Sequence, residues 1–110
     1  MKYPLGPASD IAVAGSKQYS IQHAGETLEL FVIEQAGKFH AYENHCPHIG
    51  VNLNWQTDVF LNFEQTHIQC STHGAQFRID DGLCEWGPCL GQSLRQLELK
   101  LVDGQLILTM

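Results

Sequence analysis

Two short segments gather side chains that can hold metal: Asn44-His45-Cys46-Pro47-His48-Ile49-Gly50 and Gln69-Cys70-Ser71-Thr72-His73-Gly74-Ala75. The first carries the pattern C-x-H and the second C-x2-H, and each has a Gly beside it that can supply the backbone angles of a tight turn. Two thiolates and two neutral imidazoles suit two different centres. One is a structural zinc ion, which accepts such a set tetrahedrally and needs no sulfide. The other is a pair of iron ions bridged by two sulfides. There, two thiolates leave the oxidised cluster neutral, and imidazoles in place of the other two thiolates make one added electron easier to accept. Zinc sites on paired loops more often use C-x2-C spacing, so the mixed spacing here favours iron.

The flanking residues sharpen this reading. Gly50, Val51 and Leu53 follow the first pair, and Gly74, Ala75 and Phe77 follow the second. In order, spacing and flanks the sequence resembles the Rieske family, and within it the small ferredoxins that serve ring-hydroxylating oxygenases and the related small nitrite-reductase-type subunits. The resemblance runs from about Leu28 to Met110. It implies one [2Fe–2S] cluster per chain, with Cys46 and Cys70 on one iron and His48 and His73 on the other. It also implies an antiparallel β-sandwich bearing a small cluster-binding subdomain, within about residues 43–90 of a single domain spanning 1–110. Gly87-Pro88 resembles the family's proline loop, which covers the cluster. The implied role is one-electron transfer at low potential from a reductase to an oxygenase or similar terminal enzyme, with no organic substrate bound. Two other roles stay open: a relay subunit of a nitrite-reductase-like complex, and a redox-sensing module.

Two features depart from the family pattern. Residues 49–69 form an unusually long stretch between His48 and Cys70, which predicts an extended hairpin or loop around Asn54 to Asp58. Cys84 and Cys89 fall in or near the proline loop, where they read as two buried thiols or a local disulfide before they read as a redox device. His23, His40, His45 and His67 read as ordinary strand or surface residues. Trp55 and Trp86 read as core or rim packing.

The elements that must position these segments carry strand signals throughout. Leu28 to Ile33 is a compact apolar run, Gln35 to Lys38 reads as a turn, and Phe39 to Tyr42 completes a hairpin. Phe60 to Phe63 and His67 to Gln69 suggest a second hairpin. Gln76 to Ile79 precedes the turn signal Asp80-Asp81-Gly82. Leu97, Leu99 and Leu101 alternate with Glu98 and Lys100, a strand with one wet face, and Asp103-Gly104 then turns the chain into Gln105 to Met110. The segment up to about Gly15, rich in Pro, Gly and Ala, is expected to be an arm with a short strand around Ile11 to Val13. The class predicted is all-β.

Bulk composition narrows the partners. With 44% hydrophobic and 16% charged residues the chain is no disordered segment. Six Lys plus Arg against twelve Asp plus Glu, a formal charge of -6, disfavour nucleic acid and anionic membranes and suit a basic partner surface. The first residues lack a continuous apolar stretch of the kind that directs export, so the expected location is cytoplasmic.

Overall fold

The computed structural model describes residues 1–12, 15–45, 53, 58–70 and 74–110. Among the described residues nine strands follow one another: β1 (Lys2–Pro7), β2 (Ser16–His23), β3 (Glu26–Gln35), β4 (Lys38–Glu43), β5 (His67–Gln69), β6 (Gln76–Arg78), β7 (Cys84–Trp86), β8 (Gln96–Val102) and β9 (Gln105–Thr109). A single 3-10 turn, Ala8–Asp10, is the only helical element among the described residues. Every strand pairing among the described residues is antiparallel. The six-stranded sheet has the order β1-β9-β8-β4-β3-β2, and the three-stranded sheet the order β5-β6-β7. The all-β, antiparallel expectation is met. Among the described residues no helix is long and apolar enough to cross a membrane.

The apolar run in β3 owes its continuity to burial on both faces. Side chains alternate across a strand, so Leu30 and Val32 enter one core while Phe31 and Ile33 enter another. The first core lies between the two halves of the large sheet and contains Ile11, Ala41, Leu97, Leu106 and Leu108. The second lies between β3 and β4 and the small sheet and contains Tyr42, Leu53, Phe60, Ile68, Cys70, Ala75 and Phe77. Four consecutive residues, Leu30 to Ile33, are therefore wholly shielded from water. The hairpin between β8 and β9 closes at Asp103-Gly104, both with positive φ (51° and 77°), as its turn signal predicts. In β8 the apolar face fades along the strand, from Leu97 at 7% exposure to Leu101 at 54%.

The amino-terminal segment corrects the sequence expectation of an arm. Its strand is β1, which pairs with β9 from Lys2↔Thr109 to Pro7↔Gln105, whereas Ile11 lies after the 3-10 turn and is buried in the first core. Pro4 and Pro7 mask the strand signal, yet proline is tolerated here because β1 is an edge strand and needs only one ladder of hydrogen bonds. Val13 lies outside the described residues. The expected second hairpin exists in reduced form. Phe60 to Phe63 is no strand, but Leu61 bridges Ile68, and Gln69 N–H donates to the Phe60 carbonyl at 2.9 Å.

Tyr42 fastens the small sheet to the large one. Its hydroxyl donates to the Ile79 carbonyl at 2.6 Å within the second core. Burial, and next the nearby Asp81 and Asp80 carboxylates, push its phenol above the ordinary range. The β6–β7 turn wraps this ring. A Cβ on Gly82, where φ is +75°, would stand 2.8 Å from Tyr42 Cε1 and 3.3 Å from Leu94 Cβ. Arg78 pairs with Asp81 through Nε at 2.9 Å, and Asp81 also accepts from Leu83 N–H at 3.0 Å. Tyr42→Phe should lower unfolding stability by about 1–2 kcal/mol by orphaning the Ile79 carbonyl, and Gly82→Ala should cost at least as much through clash and strain. Urea unfolding of the three proteins checks both, and a Tyr42→Phe midpoint equal to wild type would exclude Tyr42 as the fastening.

Candidate metal centre

Both candidate ligand segments leave strands of the second core and return to it. Where the first begins, Asn44 N–H donates to the Glu29 carbonyl at 2.9 Å. Its side-chain Oδ1 accepts from Leu53 N–H at 2.8 Å. Asn44 is 5% exposed and Leu53 fully buried, so the two residues that flank 45–52 are clamped together inside the protein. Cys46 and His48 themselves lie outside the described residues. Sequence reasoning passed over Asn44, because one Asn beside a turn carries no mark of whether its amide faces water or closes a neck.

The second segment sits between β5 and β6. Cys70 N–H donates to the Ala75 carbonyl at 2.8 Å, and Gly74 N–H returns to the Cys70 carbonyl at 2.9 Å. These two bonds fix the ends of the hairpin around residues 71–73. Cys70 is fully buried, and Ala75 and Phe77 are nearly or wholly so. His73 lies outside the described residues. Of the four expected ligands the structure thus places Cys70, in the same core as Leu53 at the neck of the first segment. Among the described residues there is no cluster of three or more potential metal ligands.

The residues present fit a thiolate-held cluster at this position. A soft thiolate ligand is best held away from water, and Cys70 is. Gly87 presses on the same spot. Its φ is +110°, and a Cβ there would lie 2.7 Å from the Ala75 Cα, so only glycine lets the 87–88 turn approach the second hairpin this closely. The resemblance to a covering proline loop is consistent with that contact. Trp86 (61% exposed) and Leu90 (67% exposed) stand on either side of this turn, and the Trp86 ring faces Gly74. Trp86 is rim rather than core, and Trp55 lies outside the described residues.

Of the long stretch between the candidate ligand pairs, Leu53 and 58–69 are described. Asp58, with φ +63°, is tied to β2: Gln18 N–H donates to its Oδ1 at 2.7 Å, and Ser16 Oγ donates to its carbonyl at 2.7 Å. Phe60 stacks on Phe31, ring centroids 4.2 Å apart. The expected loop around Asn54 to Asp58 is described only at Asp58. The remaining histidines take ordinary positions. His23 Nδ1 contacts the Tyr3 hydroxyl at 2.6 Å, His67 lies 3.7 Å from Glu85, and His45 is exposed. Burial holds His40 below the usual histidine value.

Comparison with known proteins places this geometry. Residues 1–102 match the model of the Rieske [2Fe–2S] domain. No curated protein matches the chain by sequence. Among solved structures, the ferredoxin of carbazole 1,9a-dioxygenase from Nocardioides aromaticivorans IC177 superposes with a TM-score of 0.71 at 18% identity, covering 96% of each chain. A complex of reduced oxygenase and oxidized ferredoxin in carbazole 1,9a-dioxygenase gives a TM-score of 0.76 at 22% identity, over 98% of this chain and 92% of the other. The terminal oxygenase of carbazole 1,9a-dioxygenase from Novosphingobium sp. KA1 gives 0.77 at 23% identity, over 99% of this chain but 29% of the oxygenase chain. At these identities the likeness establishes the fold, and with the domain match it shows that the chain belongs to the Rieske [2Fe–2S] family and carries one [2Fe–2S] cluster.

Proposed function

We propose that the protein is a one-electron carrier of low potential, which takes electrons from a reductase and delivers them to an oxygenase or a similar terminal enzyme. Cys46 and Cys70 are the proposed ligands of one iron, and His48 and His73 of the other. The observation that carries the reading is the likeness, end to end over 96% of both chains, to a protein that is itself a ferredoxin. The complex of a reduced oxygenase with an oxidized ferredoxin supports an oxygenase as the kind of partner such a fold meets. When bound, the cluster supplies a single redox centre that cycles between neutral and singly negative states.

The chain's own residues do the rest. The Asn44 clamp and the Cys70–Ala75 ladder hold the ends of the two ligand segments, and the Gly87 contact sets the 87–88 turn against Ala75. Exposed Trp86 and Leu90 give the partner an apolar rim beside residue 74. Low potential is supported by what surrounds the second segment. Rieske potentials span about -150 to +300 mV and rise with hydrogen bonds to the sulfurs. High-potential members of the family carry a Ser and a Tyr where this chain has Ala75 and Phe77, and neither of these buried side chains has a hydroxyl to donate.

The purified protein should contain two iron and two acid-labile sulfide per chain. Cys46→Ser and Cys70→Ser should each abolish the cluster's visible absorption, since a hydroxyl replaces a thiolate poorly; zinc without sulfide, or a full cluster in either variant, would overturn the assignment. Voltammetry near neutral pH should place the midpoint below zero, with Ala75→Ser and Phe77→Tyr each raising it. A wild-type midpoint well above zero would remove the protein from the ferredoxin branch. With a formal charge of -6, electron transfer to a separate partner should slow as salt is added. Stopped-flow rates indifferent to ionic strength would point instead to a permanent relay complex.

A further inference from the structure

Electron transfer leaves one chemically capable pair unused. Sγ of Cys89 lies 3.2 Å from Sγ of Cys84, and both residues are buried, 0% and 2% exposed. The backbone has already brought them together. Cys84 N–H donates to the Gln92 carbonyl at 2.8 Å, Gln92 N–H to the Cys89 carbonyl at 2.9 Å, and Gly91 N–H to the Cys84 carbonyl at 3.3 Å. A disulfide needs its sulfurs about 2.05 Å apart, so the remaining approach lies within reach of side-chain rotation. Between the two cysteines lie Glu85, Trp86, Gly87 and Pro88, and Gly87 is the residue pressed against Ala75. A bond between Cys84 and Cys89 would therefore tie down the turn that covers the second ligand segment.

We propose that Cys84 and Cys89 form a two-electron redox pair, oxidised by hydrogen peroxide to an intramolecular disulfide that clamps the Gly87–Pro88 turn onto Ala75. One cysteine sulfur attacks a peroxide oxygen and the O–O bond breaks. The hydroxide that leaves takes up that thiol's proton as water, and the cysteine becomes a sulfenic acid. The second sulfur then attacks the sulfenic sulfur, the S–O bond breaks, and the departing hydroxide leaves as water with the second thiol's proton. The two thiols lose two electrons and the peroxide gains them. Peroxide is small enough to reach a buried thiol when the 86–91 segment opens. The amides there that bond at 3.3 Å, Leu90 to the Gly87 carbonyl and Gly91 to the Cys84 carbonyl, lie beyond the usual hydrogen-bond range and are the first to give.

The test uses the cluster-loaded protein. After treatment with stoichiometric peroxide, acid quenching, alkylation and trypsin, the peptide 79–95 contains Cys84 and Cys89 and no other cysteine. It should be lighter by two hydrogens, lose both alkylation sites and regain both after thiol reduction. The treated protein should also lose its visible absorption to an iron chelator severalfold more slowly than the untreated protein. A 79–95 peptide that still takes two labels, that carries added oxygen, or that is joined to 39–78 would overturn the pair. An unchanged rate of cluster loss would overturn the clamp. None of the four proposed iron ligands lies in peptide 79–95, so its mass reads the thiol pair independently of the electron-transfer reading.

Discussion

Burial of β3 on both faces is the constraint from which the rest of this structure follows. Leu30 and Val32 close the core between the halves of the large sheet, while Phe31 and Ile33, with Tyr42 on the neighbouring strand, form the floor on which the small sheet rests. Phe31 and Tyr42 are register partners across β3 and β4, with ring centroids 5.9 Å apart. Full burial of side chains this large is worth about 1.5–3 kcal/mol each. Three short strands could not form an independently stable unit around a buried cysteine. Set on this floor they can, and Cys70 is held in a packed core.

That arrangement explains what was legible in the sequence. The four ligand candidates stand out because chemistry fixes their spacing, and the β3–β4 and β8–β9 hairpins because hydrophobic pattern and turn residues agree. β1 was hidden because its prolines read as an arm, and only the edge position revealed by its pairing with β9 makes them acceptable. The mixed run Ser16–His23 of β2 carries no clear strand period in sequence and becomes recognisable only through Tyr19 and Ile21 packing on the first core. Asn44, Tyr42 and Asp58 do their work through partners 9 to 42 residues away in sequence. No local pattern encodes such distances, so the candidate ligands could be read while the clamps that position their segments could not.

The same packing acts on the chemistry. A residue such as Ala75 is caught between two demands: its carbonyl must receive the Cys70 N–H, and its Cα must leave room for Gly87. The site rewards a small side chain, and small and apolar together leave no donor pointing at the second segment. Phe77 meets a parallel demand from the core, where a phenol oxygen would need a buried partner or lose about 1–3 kcal/mol. The absence of hydroxyls at these two positions thus follows from the packing of the second core.

The long stretch between the two candidate ligand segments is tied to the core on both sides of 54–57. Closing a longer loop is entropically mild, about 0.6 kcal/mol for each doubling of its length, but an untethered insertion next to the ligands would loosen the ends that must stay fixed. Here the tethers lie on both sides of 54–57. Leu53 is buried and held by Asn44 before it, and Asp58 is bonded to Ser16 and Gln18 after it, with Phe60 stacked on Phe31 beyond. The chain is back in register with the core by Phe60, ten residues before Cys70. Leu53 and Asp58 are thus each fixed to the core, so the length of chain between them need not disturb the ends of the second hairpin.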